Sequence, residues 1–245
     1  MEWQDWSKRL TEVLELKNTP VAVTYTDQAP AGASSRKARV CGAIHLAAGG
    51  QTIALTAENS ACPGGSLYLG LRAQPPEQAK VLREFLIEGE KLFSCPAAIH
   101  RTNALAKVKP PLGAAEYVVL GPLDQAELPP DVTVFVCNAW QAARLVNLAY
   151  YETGLPMECD PTGALCRAVI TYPWVTGKVN VSFGDVTARR SERVSENELY
   201  VSMPFSHLRS VVWSLDRCGA GTAPIVIPPG MRRMMHEAGG EPLEV

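Results

Sequence analysis

The stretch that decides the fold is VTVFVCNAWQAARLVNLAYYETG, residues 132–154. It opens with a short apolar run, Val132–Val136, which is typical of a buried β-strand. Asn138 is a favourable N-cap residue, and the sequence after it favours a helix that Gly154 ends. A strand that leads directly into a capped helix predicts a domain in which both elements pack around one core.

The segments on either side show the same two patterns. Helices are predicted at 3–16, 41–48, 75–92 and 205–216, and strands at 21–25, 51–57, 117–120, 168–172, 179–183 and 198–203. No repeat of fixed period and no long linker divides the chain. We therefore predict a single α+β (or mixed α/β) domain over residues 1–225, with a mixed sheet flanked by helices. Residues 226–245 are predicted to form a C-terminal tail that contains Pro and Gly.

The amino-acid composition and charge of the chain limit the classes of partner that it can bind. The 245 residues carry 23 Lys and Arg against 25 Asp and Glu, so no basic field is available to attract nucleic acid or anionic lipid. No apolar run approaches the roughly 20 residues that span a bilayer. The first 17 residues carry charge throughout, unlike a secretory signal. These features predict a soluble cytoplasmic protein with no nucleic-acid or membrane partner.

Cysteine is unusually frequent. An odd number of cysteines in a chain predicted to be cytoplasmic argues against a disulfide framework and favours metal binding or thiol chemistry. The alternative is that about half of them are buried apolar side chains. Because no CxxC pair is present, a metal site would have to gather cysteines from distant positions. The seven are Cys41, Cys62, Cys95, Cys137, Cys159, Cys166 and Cys218.

Three of these cysteines stand where ligands usually lie. Cys41 opens a predicted helix, whose dipole favours a thiolate. Cys62 begins the sequence CPGG at a predicted helix start, where Gly64 and Gly65 let backbone N–H groups approach a cluster sulfide or an anion. Cys166 follows a loop and precedes a predicted strand. Each also has a simpler interpretation, as a core side chain or as part of a turn.

The segment VNVSFGDVTARR, residues 179–190, joins a predicted strand to charged residues. Its functional interpretation is a loop that faces a ligand, in which Arg189 binds an anionic group. Its simpler interpretation is a strand that runs into a charged turn. His45 follows Cys41 by one helical turn and is interpreted as a metal ligand or, preferably, as a surface residue.

Five segments resemble, in order and over roughly residues 5–220, an uncharacterised family called domain of unknown function 169. They are TPVAVTY (19–25), VCGAIHLAAGG (40–50), TAENSACPGGSLYLGL (56–71), TGKVNVSFGD with ARR (176–190) and ENELYVSMP (196–204). The resemblance implies an anaerobic setting. It also implies that Cys41, Cys62 and Cys166 are cluster ligands.

The sequence departs from the family where further cysteines are common, since Asp185 and Ala188 stand there instead. We therefore predict a [4Fe–4S] protein with a three-cysteine site and an open iron, acting as a small-molecule reductase or lyase. Asp185 is the candidate fourth ligand or acid–base group, with Cys95, Cys159 or the substrate as the other options for the fourth position.

Arg189 is the predicted partner of an anionic substrate, and an electron-donor protein and a homodimer complete the predicted partners. The alternatives are a non-catalytic electron carrier or ligand-binding module, and a zinc or thiol site built from the same cysteines. Cys62 is preferred as a ligand over a nucleophile because no base is visibly paired with it.

Overall fold

The computed structural model describes residues 1–105, 112–155, 157–161 and 163–239, and for residues 101–105 it describes the backbone alone. The strands of this part of the chain are β1 Val21–Thr26, β2 Ile53–Leu55, β3 Tyr117–Pro122, β4 Val132–Cys137, β5 Asn180–Ser182 and β6 Leu199–Pro204. They form a six-stranded sheet in the order β2-β3-β1-β4-β6-β5. Each neighbouring pair in this order is antiparallel, where the sequence predicted a mixed sheet.

The helices of the described residues connect and cover these strands. They are α1 Glu2–Leu14, α2 Val40–Ala48, α3 Pro63–Tyr68, α4 Pro76–Glu84, α5 Pro96–Leu105, α6 Ala139–Tyr150, α7 Tyr172–Thr176, α8 Val186–Ser191, α9 Phe205–Ser214 and α10 Pro229–Glu237. Two stretches, Phe85–Gly89 and Arg167–Thr171, are π-helical. Within the described residues, no helix combines the length and apolar character needed to cross a membrane.

Strand alternation divides the core into two layers. Val132, Val134 and Val136 of β4 point to one face, where they pack with α2 and the second π-helical stretch. Phe135 and Cys137 point to the opposite face, which α1, α6 and α9 cover. This in–out alternation is the expected behaviour of a strand with a period of two residues. A single α+β domain is confirmed.

The stretch that decided the prediction folds as expected. The Asn138 side chain accepts a hydrogen bond from the Gln141 N–H at 2.9 Å, and the Gln141 side chain accepts one from the Asn138 N–H at 3.0 Å. This reciprocal capping box fixes the start of α6 directly after β4. Gly154 adopts a positive φ of 59° in the turn that follows the helix.

One predicted strand is wrong. Residues 168–172 lie almost entirely in the π-helical stretch Arg167–Thr171, whose members are all buried. A short, fully buried apolar run carries no periodicity that separates a strand from a helix, so the sequence pattern could not decide. In addition, the predicted tail contains α10, while its last six residues, 240–245, lie outside the described part of the chain. The boundary at residue 225 stays a prediction.

Candidate thiol site

Two short backbone pairings bring the starts of α2 and α3 together. The Ala38 N–H donates to the Asn59 carbonyl at 3.2 Å, and the Ala61 N–H donates to the Ala38 carbonyl at 2.8 Å. Cys41 is the second residue of α2, and Cys62 is the N-cap of α3. These pairings therefore set two cysteines, each at the beginning of a helix, beside one another.

Cys62 is half-buried, and its sulfur accepts a hydrogen bond from the Gly65 N–H at 3.3 Å. The helix begins at Pro63, which has no N–H to donate and whose ring suits a first helical turn. A backbone N–H aimed at a sulfur stabilises negative charge that develops there. Cys62 is thus partly accessible to solvent, and the Gly65 N–H can stabilise its sulfur when that sulfur is charged.

The two glycines after Cys62 differ in the space around them. A Cβ on Gly65 would lie 2.7 Å from Cγ2 of Val40, whereas a Cβ on Gly64 would meet only the Cys62 sulfur at 4.0 Å. We expect Gly65→Ala to lower the free energy of unfolding by about 1–3 kcal/mol through overpacking. Gly64→Ala is the matched control and should leave stability nearly unchanged. Urea unfolding of both variants tests this, and equal stability would show that Gly65 is not needed for the contact between the helices.

Cys41 is bound to a carboxylate rather than being free. Its thiol donates a hydrogen bond to Oε1 of Glu192 at 3.5 Å, across a separation of 151 residues in sequence. Burial, followed by the charge and the hydrogen bond of Glu192, raises the pKa of Cys41 to about 12. At neutral pH Cys41 is therefore a protonated thiol with a proton acceptor beside it.

Gly42 makes room for that acceptor. A Cβ at this position would lie 2.9 Å from Oε2 of Glu192, closer than side-chain atoms pack. Glu192 itself follows directly after α8, as the C-cap residue of that helix. A side chain at position 42 would therefore displace the carboxylate of Glu192 from its present place.

Removing the carboxylate should make Cys41 easier to ionise. In Glu192→Gln the charge that raises the thiol pKa is gone, so we expect the Cys41 pKa to fall below about 12 but to stay above its ordinary value, because burial remains. Gly42→Ala should lower it in the same direction by displacing Glu192. The pH dependence of Cys41 alkylation, followed by peptide mapping, measures the shift. An unchanged profile in both variants would rule out Glu192 as the partner.

Cys166 is the third thiol of the site. It is buried at the start of the second π-helical stretch, and burial raises its pKa well above the ordinary value, with smaller contributions from Cys62, Cys41 and Asp185. Cys62 is likewise an electrostatic neighbour of Cys41. Cys41 and Cys62 thus both contribute to the raised pKa of the Cys166 thiol.

Aromatic side chains pack against the same core cluster that contains Cys166. Tyr25 and Tyr68 both interact electrostatically with it, and burial raises the pKa of each phenol. The Tyr25 ring stacks on Trp174, with centroids 3.9 Å apart and planes 8° from parallel. Its hydroxyl is buried and has no hydrogen-bond partner among the described residues.

Asp185 and Arg189, the two residues predicted to be catalytic, form hydrogen bonds with backbone groups. Asp185 accepts hydrogen bonds from the Ala188 N–H at 2.7 Å and the Leu165 N–H at 2.9 Å, which ties the start of α8 to the segment before Cys166. The Arg189 guanidinium donates to the carbonyls of Phe183, Glu198 and Ser195, at 2.7–2.9 Å. A catalytic role for Asp185 and Arg189 stays a prediction.

His45 is not a free surface side chain. Its Nε2 lies 2.9 Å from the Tyr200 hydroxyl, and burial lowers the pKa of the imidazole. No role was predicted for Tyr200 or Glu192 from the sequence. Tyr200 has the pattern of an ordinary strand residue, and Glu192 belongs to a charged stretch that is typical of a protein surface.

A family model described as DUF169, uncharacterised ArCR, matches residues 9–213. The chain belongs to this family. An uncharacterized protein of Methanocaldococcus jannaschii, MJ0308, is 25% identical to it over 224 residues, which cover 88% of this chain and 94% of the relative. No solved structure shows a significant match. The resemblance seen in the sequence is confirmed over most of the chain.

The predicted function of this DUF169 chain, an iron–sulfur protein with a three-cysteine site, is wrong. Among residues 1–105, 112–155, 157–161 and 163–239, no group of three or more His, Cys, Asp or Glu side chains is arranged to hold a metal ion. The residues present do not fit a [4Fe–4S] cluster. The comparisons support the alternatives no better, whether an electron carrier, a ligand-binding module, or a zinc or thiol site built from the same cysteines. Cofactor contacts by Gly64 and Gly65 stay predictions.

Proposed function

We propose that the chain carries out reversible thiol–disulfide exchange, with Cys62 as the attacking thiol and Cys41 as the resolving thiol. The observation that carries the proposal is the position of Cys62, which is half-exposed, accepts a backbone hydrogen bond and neighbours two further thiols. The co-reactant is a small-molecule disulfide, R–S–S–R.

In the first step the Cys62 thiolate attacks one sulfur of the substrate. An S–S bond forms between Cys62 and that sulfur, the substrate S–S bond breaks, and R–S⁻ leaves and takes up a proton. The Gly65 N–H stabilises the negative charge on the Cys62 sulfur while this bond changes. The product is a mixed disulfide on Cys62.

In the second step the Cys41 sulfur attacks the Cys62 sulfur and displaces the second R–S⁻. The proton of Cys41 passes to Glu192, its hydrogen-bond acceptor, and from there to the departing thiolate. A thiol with a raised pKa is a strong nucleophile once it loses its proton. The sum is one disulfide reduced to two thiols and two protein thiols joined, so no further reductant is needed.

The proposed exchange requires one protein partner, a reductant that restores the two thiols. A protein dithiol that reduces the Cys41–Cys62 bond fills the role of the predicted electron donor, in the reducing cytoplasm that the sequence favours. The terminal nitrogens of Arg189 already donate to backbone carbonyls, so the scheme places no anionic group of the substrate there. The scheme specifies only that the substrate is a disulfide. A homodimer stays a prediction.

The test uses the fully reduced full-length chain in a Cys95→Ser, Cys159→Ser background, which removes an exposed thiol and one in an irregular segment. Bis(2-hydroxyethyl) disulfide is added without oxygen, samples are quenched by alkylation, and the bridges are mapped by mass spectrometry. We expect a mixed disulfide at Cys62 and then a Cys41–Cys62 bridge. Free thiols at both positions under a large excess of the disulfide would overturn the proposal.

A further inference from the structure

A groove with a volume of about 920 Å³ lies against β1 and β3, on the other side of the sheet from α2. Helices α6 and α9 pack on this face against β4 and β6. Ala22 of β1 belongs to the core cluster beneath these helices, and Gly121 of β3 is its partner in the strand register. Together with Thr24 and Val119, which form the next pair in that register, they make the floor of the groove.

The loop that follows β1 forms one wall of the groove. Residues 27–34 leave β1 beside the start of β3, where the Glu116 N–H donates to Oδ1 of Asp27 at 3.1 Å. They end beside β2, where the Ser34 N–H donates to the Thr52 carbonyl at 2.8 Å. Because β3 lies between β1 and β2 in the sheet, this loop passes β3 and is anchored at both ends.

The segment 125–128 forms a second wall, and α1 anchors it. The Trp3 indole N–H donates to the Ala126 carbonyl at 2.9 Å, and the side-chain amide of Gln4 donates to the same carbonyl at 3.2 Å. Both walls are therefore held in place by the fold itself. A ligand that enters such a groove binds at a small cost in the ordering of the protein.

The charged side chains of the groove are both carboxylates. They belong to Asp27 and Glu127, which are exposed and form no ion pair with another described residue. A cleft whose charges share one sign attracts ions of the opposite sign. Its lining, all of it in the described part of the chain, contains no Lys, Arg or His that could bind a phosphate or a carboxylate. The groove therefore favours a cation over an anion.

The lining also has polar side chains whose hydrogen-bonding groups the fold leaves unused. Five of them form no side-chain hydrogen bond with the rest of the described residues: Thr24, Gln28, Gln51, Thr52 and Gln125. The Thr52 hydroxyl lies over the floor, since a Cβ on Gly121 would be 2.8 Å from its oxygen. These hydroxyl and amide oxygens are acceptors for the N–H groups of a ligand.

We propose that this groove binds an aliphatic polyamine. The ammonium groups of the ligand donate to the two carboxylates and to the unused side-chain oxygens, while its methylene chain lies on the apolar floor. The residues that line the groove include no aromatic side chain, so a nucleobase or a quaternary ammonium group would find no ring to stack on. A hydrated metal ion would gain nothing from the apolar floor. The proposal is independent of the exchange at Cys62.

The experiment is calorimetric titration of the full-length, reduced chain with spermidine, and with MgCl₂ as the probe of simple cation binding. We expect one spermidine per chain. Asp27→Asn combined with Glu127→Gln should weaken binding by about threefold to thirtyfold, the range for two exposed ion pairs. The asparagine oxygen can still accept from the Glu116 N–H. Thr24→Val removes a hydroxyl without a change in charge and should weaken binding by about twofold to tenfold.

The matched control is Glu77→Gln combined with Glu88→Gln, which removes two exposed carboxylates outside the groove and should leave the affinity unchanged. Each variant should unfold at the wild-type temperature, so that weaker binding reflects lost contacts. An equal loss of affinity in the control, or full affinity in the Asp27 and Glu127 variant, would overturn the groove as the site. Binding of MgCl₂ as tight as that of spermidine would overturn the polyamine as the ligand, and so would an absence of spermidine binding to the wild type.

Discussion

Cys62→Ser should abolish every disulfide that forms within the thiol site. Cys62 is the attacking thiol of the proposed exchange, and a serine hydroxyl can neither attack a disulfide at neutral pH nor form an S–S bond. We expect the Cys41–Cys62 bridge to disappear, with Cys41 left as a thiol. Quenched alkylation and peptide mapping after treatment with bis(2-hydroxyethyl) disulfide measure this.

The matched control is Cys218→Ala, because Cys218 is a buried cysteine of the opposite core layer. This variant should form the same bridges as the wild type at the same rate. If Cys62→Ser joined Cys41 to Cys166 as fast as the wild type forms its bridge, Cys62 would not be the entry point for the substrate. That outcome would reverse the assignment of attacking and resolving thiols.

Asn180→Ala should destabilise the fold by about 2–4 kcal/mol, since it leaves one buried and two half-buried backbone groups without their partners, at roughly 1–3 kcal/mol for the buried one. The Asn180 side chain is fully buried. It donates to the carbonyls of Asp160 at 3.1 Å and Ala168 at 2.7 Å, and it accepts from the Asp160 N–H at 2.7 Å. These bonds join the edge strand β5 to the second π-helical stretch. Denaturant unfolding measures the loss.

Asn147→Ala controls for the residue type. Asn147 lies on the exposed side of α6 and donates to the Ala143 carbonyl one turn earlier at 2.8 Å. Its replacement should change the free energy of unfolding by less than about 0.5 kcal/mol, as is usual for surface substitutions. If the two alanine variants were equally stable, Asn180 would have a role other than support of the fold.

The elements that the sequence predicted well are those with a long pattern or a distinct end signal. The β4–α6 unit was predicted because Asn138 marks the helix start and apolar residues follow at helical spacing. The π-helical stretch Arg167–Thr171 was missed because a five-residue buried run looks the same in a strand and in a helix. Signal length, more than composition, decided which elements could be predicted.

The chemistry of the candidate cysteines was misjudged. The resemblance selected Cys41, Cys62 and Cys166, and their membership of one site stays a prediction. It carried no information on what each sulfur bonds to, and that depends on residues from other elements. Glu192 reaches Cys41 from the end of α8, 151 residues later in the chain, so this contact does not follow from local sequence. The metal interpretation failed because the described residues contain no group of three or more His, Cys, Asp or Glu side chains that could hold a metal ion.

The distance along the chain between Cys41 and its carboxylate has a consequence during synthesis. The pairing of Ala38 with Asn59 and Ala61 is local, so Cys41 and Cys62 can meet soon after α3 leaves the ribosome. Glu192, 151 residues after Cys41, is made much later. Until it arrives, Cys41 lacks the partner that helps to keep it protonated. The nascent chain therefore passes through an interval in which its first two thiols are adjacent and less protected from oxidation than in the finished protein.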